Sequence, residues 1–269
     1  MRIWYQGLIP RNESSAAYYS SMEAHVAALV RPNTTVEFHG MPEHIYPRGY
    51  GPAEFTRYLA GEWVEVCAFA EMVLEAERAG FDAVMIGTLQ EPGLQLARTL
   101  TDLPVVGYGQ AASFLGRSLG DRLGVLAFNE ALFPLFRDRL NAHIPDSVGP
   151  IRSLDVTYAQ IHASFRDPDM AAPLRSALED GCRLLVREGA SAIVPGQMLL
   201  AEATWRLGVR RVDDTPVIDA LGALVLFAEA LVLLRRTSGI TVSRRGFNWA
   251  KADPAVAHAL AALVERKRG

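Results

Sequence analysis

Two segments of this chain resemble each other, and their order along the sequence constrains the fold. Residues 80–87 read GFDAVMIG and residues 189–196 read GASAIVPG, while the PVVG of residues 104–107 has a counterpart in the PVID of residues 216–219. The opening strand near Ile3 has a counterpart near Val125. Chance similarity between strand–helix units is the alternative, but an ordered series of matches favours an internal duplication. We therefore predict an α/β fold with two pseudo-symmetric, Rossmann-like or flavodoxin-like domains whose parallel sheets face one cleft.

The expected domain division follows from the same repeat. The first domain should comprise residues 1–115 together with residues 220–269, and the second domain residues 116–219. Facing halves bring the strand-exit loops of both domains to one cleft, and ligand pockets form preferentially at such interfaces.

Residues 80–112 are the most informative stretch for placing the chemistry. The apolar run at residues 83–86 predicts a strand that is buried on both faces, and residues 103–106 predict the next strand. Between them, Glu91 and Pro92 predict the first turn of a helix, because proline suits the first helical position and an acid suits the positive helix end. Ligands of open α/β sheets bind at the carboxyl ends of the strands, so we expect the site at residues 87–91 and 195–198.

Composition excludes several classes of partner. The chain has 269 residues and a net charge of −3, without a basic block, so nucleic acid is not expected as a partner. The longest apolar run, near residues 220–234, contains Glu229 and is too short to predict a membrane span. The chain begins directly with a strand-like segment, which indicates a cytoplasmic protein without a signal peptide.

The cysteines and metal-binding residue types are sparse. Cys67 and Cys182 both lie within helical patterns, which indicates small apolar core residues and no disulfide framework or zinc site. No pair of His, Asp or Glu has a ligand spacing on one element, so we expect neither a metal nor a cofactor.

Two motifs carry a resemblance to a known family. Residues 87–94 read GTLQEPGL and residues 104–111 read PVVGYGQA. Together they resemble the aspartate/glutamate/hydantoin racemase superfamily, in which a catalytic Cys precedes a (D/E)-P-G-L helix start and a P-V-V-G-x-G-E-A segment follows. Thr88 stands at the position of that Cys, and Gln110 replaces the usual Glu.

The second half matches the same superfamily. Its second catalytic Cys falls in a turn of the form A-I-V-x-G-C, and residues 192–197 read AIVPGQ. Gln197 therefore stands at the second Cys position. The resemblance covers nearly the whole chain and implies the two-domain architecture predicted from the repeat.

The resemblance implies a mechanism that these replacements alter. Racemases of the superfamily remove the proton next to a carbonyl with one thiolate and return a proton from the opposite thiol. A threonine hydroxyl and a glutamine amide do not accept a carbon acid's proton near neutral pH. Three interpretations stay open. One is an isomerase, lyase or hydrolase that acts without cysteine on a small carboxylate or a cyclic amide derived from an amino acid. The second is a catalytically silent binding protein, and the third is a racemase with a non-thiol base pair.

The candidate site residues come from the motifs and from one loop. Thr88, Gln197, His44 and Glu91 are candidates for catalysis, and His44 lies in a proline- and glycine-rich loop at residues 40–52 that is typical of a lid. Each candidate also has a purely structural alternative: His44 could be a surface histidine without a function, and Glu91 could only stabilise the amino end of a helix. Candidates for substrate binding are Gln6, Tyr46, Gly87, Gln90, Gln110, Gly196 and Met198. We also expect a homo-oligomer.

Overall fold

The computed structural model describes residues 1–265 and contains two separate parallel β-sheets. The strands of the first sheet are β1 (Arg2–Gln6), β2 (Thr35–His39), β3 (Ala83–Ile86) and β4 (Val105–Gly107). They lie in the order β2-β1-β3-β4, and every neighbouring pair is parallel. All residues of β3 and β4 are buried, as expected for strands that are covered by helices on both faces.

The second sheet repeats this arrangement with three strands. They are β5 (Leu123–Ala127), β6 (Val148–Ser153) and β7 (Ala192–Pro195), in the order β6-β5-β7 and all parallel. The counterpart of β4 at residues 216–218 is predicted from sequence as a strand, and it is only partly present. Residues Arg211–Val212 (β8) and Thr215–Pro216 (β9) form a short antiparallel pair, and Val217 makes a single parallel bridge to Ile193.

Eleven α-helices within residues 1–265 surround the sheets. They are α1 (Ala16–Ala27), α2 (Pro52–Phe55), α3 (Leu59–Arg78), α4 (Leu94–Leu100), α5 (Tyr108–Leu119), α6 (Phe133–His143), α7 (Tyr158–Ala163), α8 (Ala171–Arg187), α9 (Met198–Arg206), α10 (Ala220–Ser238) and α11 (Pro254–Glu265). Short 3₁₀ helices occur at Glu43–Ile45, Glu130–Leu132 and Pro168–Met170.

The predicted α/β fold with parallel sheets is confirmed. The strands divide between the two sheets at α5, and α10 returns to pack on α5 and against β3 and β4 of the first sheet. The domain division at residues 115 and 220 stays a prediction. No helix in the described part of the chain is long and apolar enough to cross a membrane.

The predicted first residues of the helix after β3, Glu91 and Pro92, are wrong. Helix α4 begins at Leu94, because Glu91 and Gly93 both have positive φ angles, of 45° and 68°, and these left-handed conformations interrupt a right-handed helix. Glu91 therefore lies in a turn before the helix. Its carboxylate does not serve the start of α4.

Two other helix predictions need correction. The helical spacing of apolar residues predicts one long helix at residues 53–79, but the chain becomes extended at Tyr58 (φ −104°, ψ 132°) between α2 and α3. Residues 117–120 are predicted from sequence as a turn, but they belong largely to α5, which continues to Leu119.

Candidate active site

A cavity lies between the carboxyl ends of the two sheets. Together with the solvent at its mouth, it encloses about 500 Å³. Its walls come from the loops after β1, β3, β5 and β7 and from the helices that follow them or lie beside them. The lining residues are Tyr5, Leu8, Ile9, Tyr18, Pro52, Ala53, Gly87, Thr88, Gln90, Phe128, Asn129, Leu132, Tyr158, Gln197, Met198 and Leu199.

Two equivalent turns meet in this cavity. The first site turn, residues 87–91, follows β3, and the second site turn, residues 195–198, follows β7 and leads into α9. Thr88 of the first turn and Gln197 of the second both line the cavity, as do Gly87, Gln90 and Met198. The two repeated segments thus form two turns that face each other, because the parallel strands of each sheet end at the same edge.

The side chain of Gln197 is buried and unpaired. It is 7 % exposed, and neither Nε2 nor Oε1 has a hydrogen-bond partner within residues 1–265. Gln197 occupies the N-cap position of α9 in an extended conformation, but its side chain makes no capping hydrogen bond. A buried amide without partners is unfavourable by about 1–3 kcal/mol, so this group is suited to a ligand that pairs with it.

Thr88 is also buried, at 4 % exposure, and its hydroxyl donates to Oε1 of Gln90. The two side chains form a short polar strip on the wall that the first site turn contributes. Asn129, which follows β5, adds a third polar position. Its Nδ2 donates to the Ala53 carbonyl over 3.0 Å, and its Oδ1 accepts from the Ala131 amide over 3.2 Å.

The ionisable groups that line the cavity are three tyrosines. Burial raises the pKa of Tyr158 to about 12 and raises the pKa values of Tyr5 and Tyr18 well above their ordinary value. Among the described residues, the lining contains no carboxylate, imidazole, thiol, lysine or arginine. The lining therefore supplies hydrogen-bond donors and acceptors, but no side chain that is an ordinary proton acceptor at neutral pH.

Helix α9 is fixed behind the cavity by a buried ionic network. His25 on α1 contacts Glu202 of α9 through Nδ1 and Asp219 through Nε2, both over 2.9 Å. Burial lowers the pKa of His25, but the hydrogen bonds to Asp219 and Glu202 outweigh it and raise the pKa overall. Asp219 is the N-cap of α10, and its side chain also accepts from the Gly222 amide over 2.8 Å.

Several predicted site residues lie outside the lining and are bonded elsewhere. His44 is exposed on the 3₁₀ helix Glu43–Ile45. The hydroxyl of Tyr46 donates to the Leu8 carbonyl over 2.8 Å. The Gln6 amide accepts from Trp4 Nε1 over 3.0 Å and donates to the Gly7 carbonyl over 3.1 Å. The contacts of Tyr46 and Gln6 hold the loop after β1 in place, and neither polar group faces the cavity.

Glu91, Gln110 and Gly196 are likewise outside the lining. The Glu91 carboxylate accepts from the backbone amide of Gln110 over 2.8 Å and contacts Nε2 of His143 over 2.6 Å. The Gln110 side chain accepts from Arg98 Nη2 over 2.6 Å. The structure therefore places Glu91, Gln110 and Gly196 outside the cavity lining, and their roles at the site stay predictions.

Neither cysteine lines the cavity. Cys182 is fully buried in the core on α8, where burial raises the pKa of its thiol to about 12. Cys67 lies partly buried on α3. Residues 1–265 also contain no cluster of three or more His, Cys, Asp or Glu side chains that could hold a metal ion.

Sequence reasoning missed the part of the wall that follows β5 and the residue that α7 contributes. Phe128, Asn129 and Leu132 follow β5, and Tyr158 lies on α7. The repeat contained a usable signal for Asn129, since β5 is the counterpart of β1 and its exit loop must lie at the same edge as the second site turn. The sequence carried no comparable signal for Tyr158.

The architecture and the paired turns define a class of protein. The family model of Asp/Glu/hydantoin racemases matches residues 7–228, and the chain belongs to that family. The hydantoin racemase of Pseudomonas sp. (strain NS671) is 28% identical over 226 residues, which cover 78% of this chain and 87% of the relative. The hydantoin racemase of Rhizobium meliloti is 28% identical over 217 residues, covering 76% and 87%.

Solved structures agree with this fold. The allantoin racemase from Klebsiella pneumoniae superposes with a TM-score of 0.72 at 21% identity, covering 96% of this chain and 98% of that one. The allantoin racemase from Pseudomonas fluorescens superposes with a TM-score of 0.71 at 22% identity, covering 94% and 98%.

Proposed function

We propose that this member of the family binds a hydantoin-type cyclic amide in the cavity and exchanges the proton on the ring carbon beside the carbonyl without a thiol. The observation that carries the proposal is the buried, unpaired amide of Gln197. The names of the similar proteins, hydantoin racemase and allantoin racemase, agree with this class of ligand.

A primary amide is complementary to the edge of a cyclic amide. Gln197 Nε2 can donate to the ring carbonyl while Gln197 Oε1 accepts from the neighbouring ring N–H, because a ring holds its C=O and N–H on the same side. Both unpaired atoms of Gln197 are then satisfied at once. Thr88 and Gln90 offer further polar contacts across the cavity, and the apolar lining suits the body of the ring.

A small carboxylate, the other ligand class that the sequence allowed, fits the lining less well. A carboxylate only accepts hydrogen bonds, so it would leave Oε1 of Gln197 unpaired and beside a negative charge. No lysine or arginine of the described chain lines the cavity to compensate that charge.

The proposed reaction needs stabilisation of an enolate. When the C–H bond beside the carbonyl breaks, its electron pair moves towards the carbonyl oxygen. The Gln197 N–H and the amino end of α9, whose first N–H groups have no intrahelical acceptor, stabilise that charge. The proton passes to a water molecule on one face of the ring, and a second water molecule on the opposite face returns a proton to the carbon. This yields the mirror-image ring, and the hydronium and hydroxide ions that are formed recombine in the solvent. Without a positioned base, this exchange is slower than thiolate catalysis by about 10²- to 10⁴-fold.

A second candidate is a binding protein that takes up the same ligand without turnover. The absence of a carboxylate, imidazole or thiol among the described lining residues favours it. Ligand binding is common to both candidates, and proton exchange separates them.

The test is proton exchange on an optically pure, 5-substituted hydantoin in D₂O. We expect saturable binding by calorimetry, and loss of the ring C–H signal by NMR faster than in buffer at the same pH. Gln197→Leu should weaken the binding and slow the exchange. Binding without accelerated exchange would support the second candidate, and no binding of any hydantoin would contradict both.

A further inference from the structure

We propose that Arg139 and His143 of α6 are positioning residues that hold the first site turn in its cavity-lining conformation. Neither residue lines the cavity, and both reach the turn from a helix that follows the second sheet's central strand. They lie four residues apart, so they share one face of α6. Their contacts are with consecutive residues of the turn, Gln90 and Glu91.

His143 holds the turn through Glu91. Its Nε2 lies 2.6 Å from Oε2 of Glu91, and the two side chains are only 13% and 2% exposed. The other carboxylate oxygen accepts from the Gln110 amide over 2.8 Å, in the first turn of α5. Glu91 thus connects the first site turn to both α5 and α6. From sequence we expected its carboxylate at the start of α4, but it accepts a hydrogen bond from the first turn of α5 instead.

The GYG segment at residues 107–109 makes room for this carboxylate. A Cβ at Gly107 would collide with Oε1 of Glu91, and one at Gly109 would lie 3.2 Å from the same atom. The backbone of Glu91 itself has a φ of 45°, which is unfavourable for a residue other than glycine. Tertiary contacts must hold such a conformation, and the His143 and Gln110 contacts supply them.

Arg139 holds the preceding residue. Its Nε donates to the Gln90 carbonyl over 2.9 Å, and its Nη2 pairs with Glu62 of α3. The Gln90 side chain in turn accepts from the Thr88 hydroxyl, and the Glu91 amide donates to the Thr88 carbonyl over 3.1 Å. A continuous set of contacts therefore links α6 to Thr88, which lines the cavity.

Hydrogen–deuterium exchange of the full chain tests this role without a ligand. In His143→Ala, the peptides that cover residues 87–93 and 108–112 should exchange about tenfold faster, because both contacts of Glu91 are weakened. In His143→Gln, whose side-chain amide also donates to Glu91, exchange should stay near the native rate. The matched control is Arg152→Ala. Arg152 lies on β6, and its replacement removes a surface ion pair with Glu188 (2.7 Å).

The second readout is the affinity for a 5-substituted hydantoin, measured by calorimetry. The Kd should rise about tenfold in His143→Ala and return towards the native value in His143→Gln. This readout rests on the proposed function, whereas hydrogen exchange does not. If the native protein binds no hydantoin, the proposed function fails and the exchange result still decides the positioning role.

Native exchange rates in both segments of His143→Ala would overturn the proposal, as would equal acceleration in Arg152→Ala. If His143→Ala does not fold, Arg139→Leu removes the donor to the Gln90 carbonyl. Faster exchange confined to residues 87–93 is then expected, and unchanged exchange there would overturn the proposal.

Discussion

Thr88 and Gln197 belong to equivalent turns of two different sheets, yet both line one cavity. They occupy the positions at which the resemblance to the racemase superfamily places its catalytic cysteines. On that resemblance, hydrogen-bonding side chains stand where acid–base groups would be expected, and both side chains line the cavity. This difference underlies the predictions that follow.

Gln197→Leu should weaken hydantoin binding and stabilise the protein. The leucine keeps the approximate size of the side chain but removes the donor and the acceptor, so we expect the Kd to rise about 10- to 100-fold. The unliganded protein should gain about 1 kcal/mol of unfolding free energy, because a buried unpaired amide is gone. Calorimetry and urea denaturation measure the two effects. A less stable variant with native affinity would show that the amide is paired within the protein.

Removing either thiol should leave proton exchange unchanged. Cys67 and Cys182 both lie outside the cavity lining, and the thiol of Cys182 is buried in the core. Cys182→Ala should lower stability by about 1 kcal/mol through lost packing, with native exchange rates on hydantoin. Loss of exchange in either folded variant, measured by NMR in D₂O, would contradict a thiol-free reaction.

Glu65 should make stability fall with rising pH. Its side chain is fully buried, and burial raises its pKa from 4.5 to about 8, while the hydrogen bond from the Thr56 hydroxyl (3.0 Å) lowers it less. Between these values the unfolded chain has lost a proton that the folded chain retains. The stabilising contribution is therefore complete below pH 4.5 and is lost as the pH rises through about 8, by up to about 5 kcal/mol.

Glu65→Gln tests this pH dependence, because the amide does not titrate. Urea denaturation at several pH values should give a flatter stability curve for the variant, which becomes the more stable protein above pH 8. Parallel curves for the two proteins would mean that Glu65 keeps an ordinary pKa.

Introducing a cysteine at both positions should create thiol chemistry in the cavity. Thr88→Cys combined with Gln197→Cys places a thiol on each side of the cavity, so exchange on an optically pure hydantoin should rise about 10²- to 10⁴-fold. Leu119→Cys, on the exposed end of α5, is a matched thiol control and should have no effect. If the double variant binds the ligand but exchanges its ring proton no faster than the native protein, then positions 88 and 197 do not have the geometry that thiol-based racemisation needs.

The convergence of Thr88 and Gln197 could be predicted from sequence because it follows from local patterns. A buried strand, a turn and a repeat are enough to place both residues at the carboxyl edge of a sheet. The role of Glu91 could not be predicted in the same way. Its φ angle and its partners depend on Gln110 and on His143, which is 52 residues away in the sequence. A helix-start pattern contains no information on such contacts.

The position of His44 outside the lining could not be predicted for a related reason. Its residue type and loop suit proton transfer, but residue type does not determine where a side chain points, and the structure leaves it exposed outside the lining. The missed residue Tyr158 reaches the cavity from a separate helix. Both cases show that loop and helix side chains around a cleft depend on how the two halves pack.

The most direct measurement is a crystal structure of the native protein with a 5-substituted hydantoin. The ring should lie between the two site turns, with its C=O and neighbouring N–H each within about 2.7–3.2 Å of the Gln197 amide. A ring bound outside this cavity, or one bound inside it with both amide atoms of Gln197 unpaired, would contradict the account.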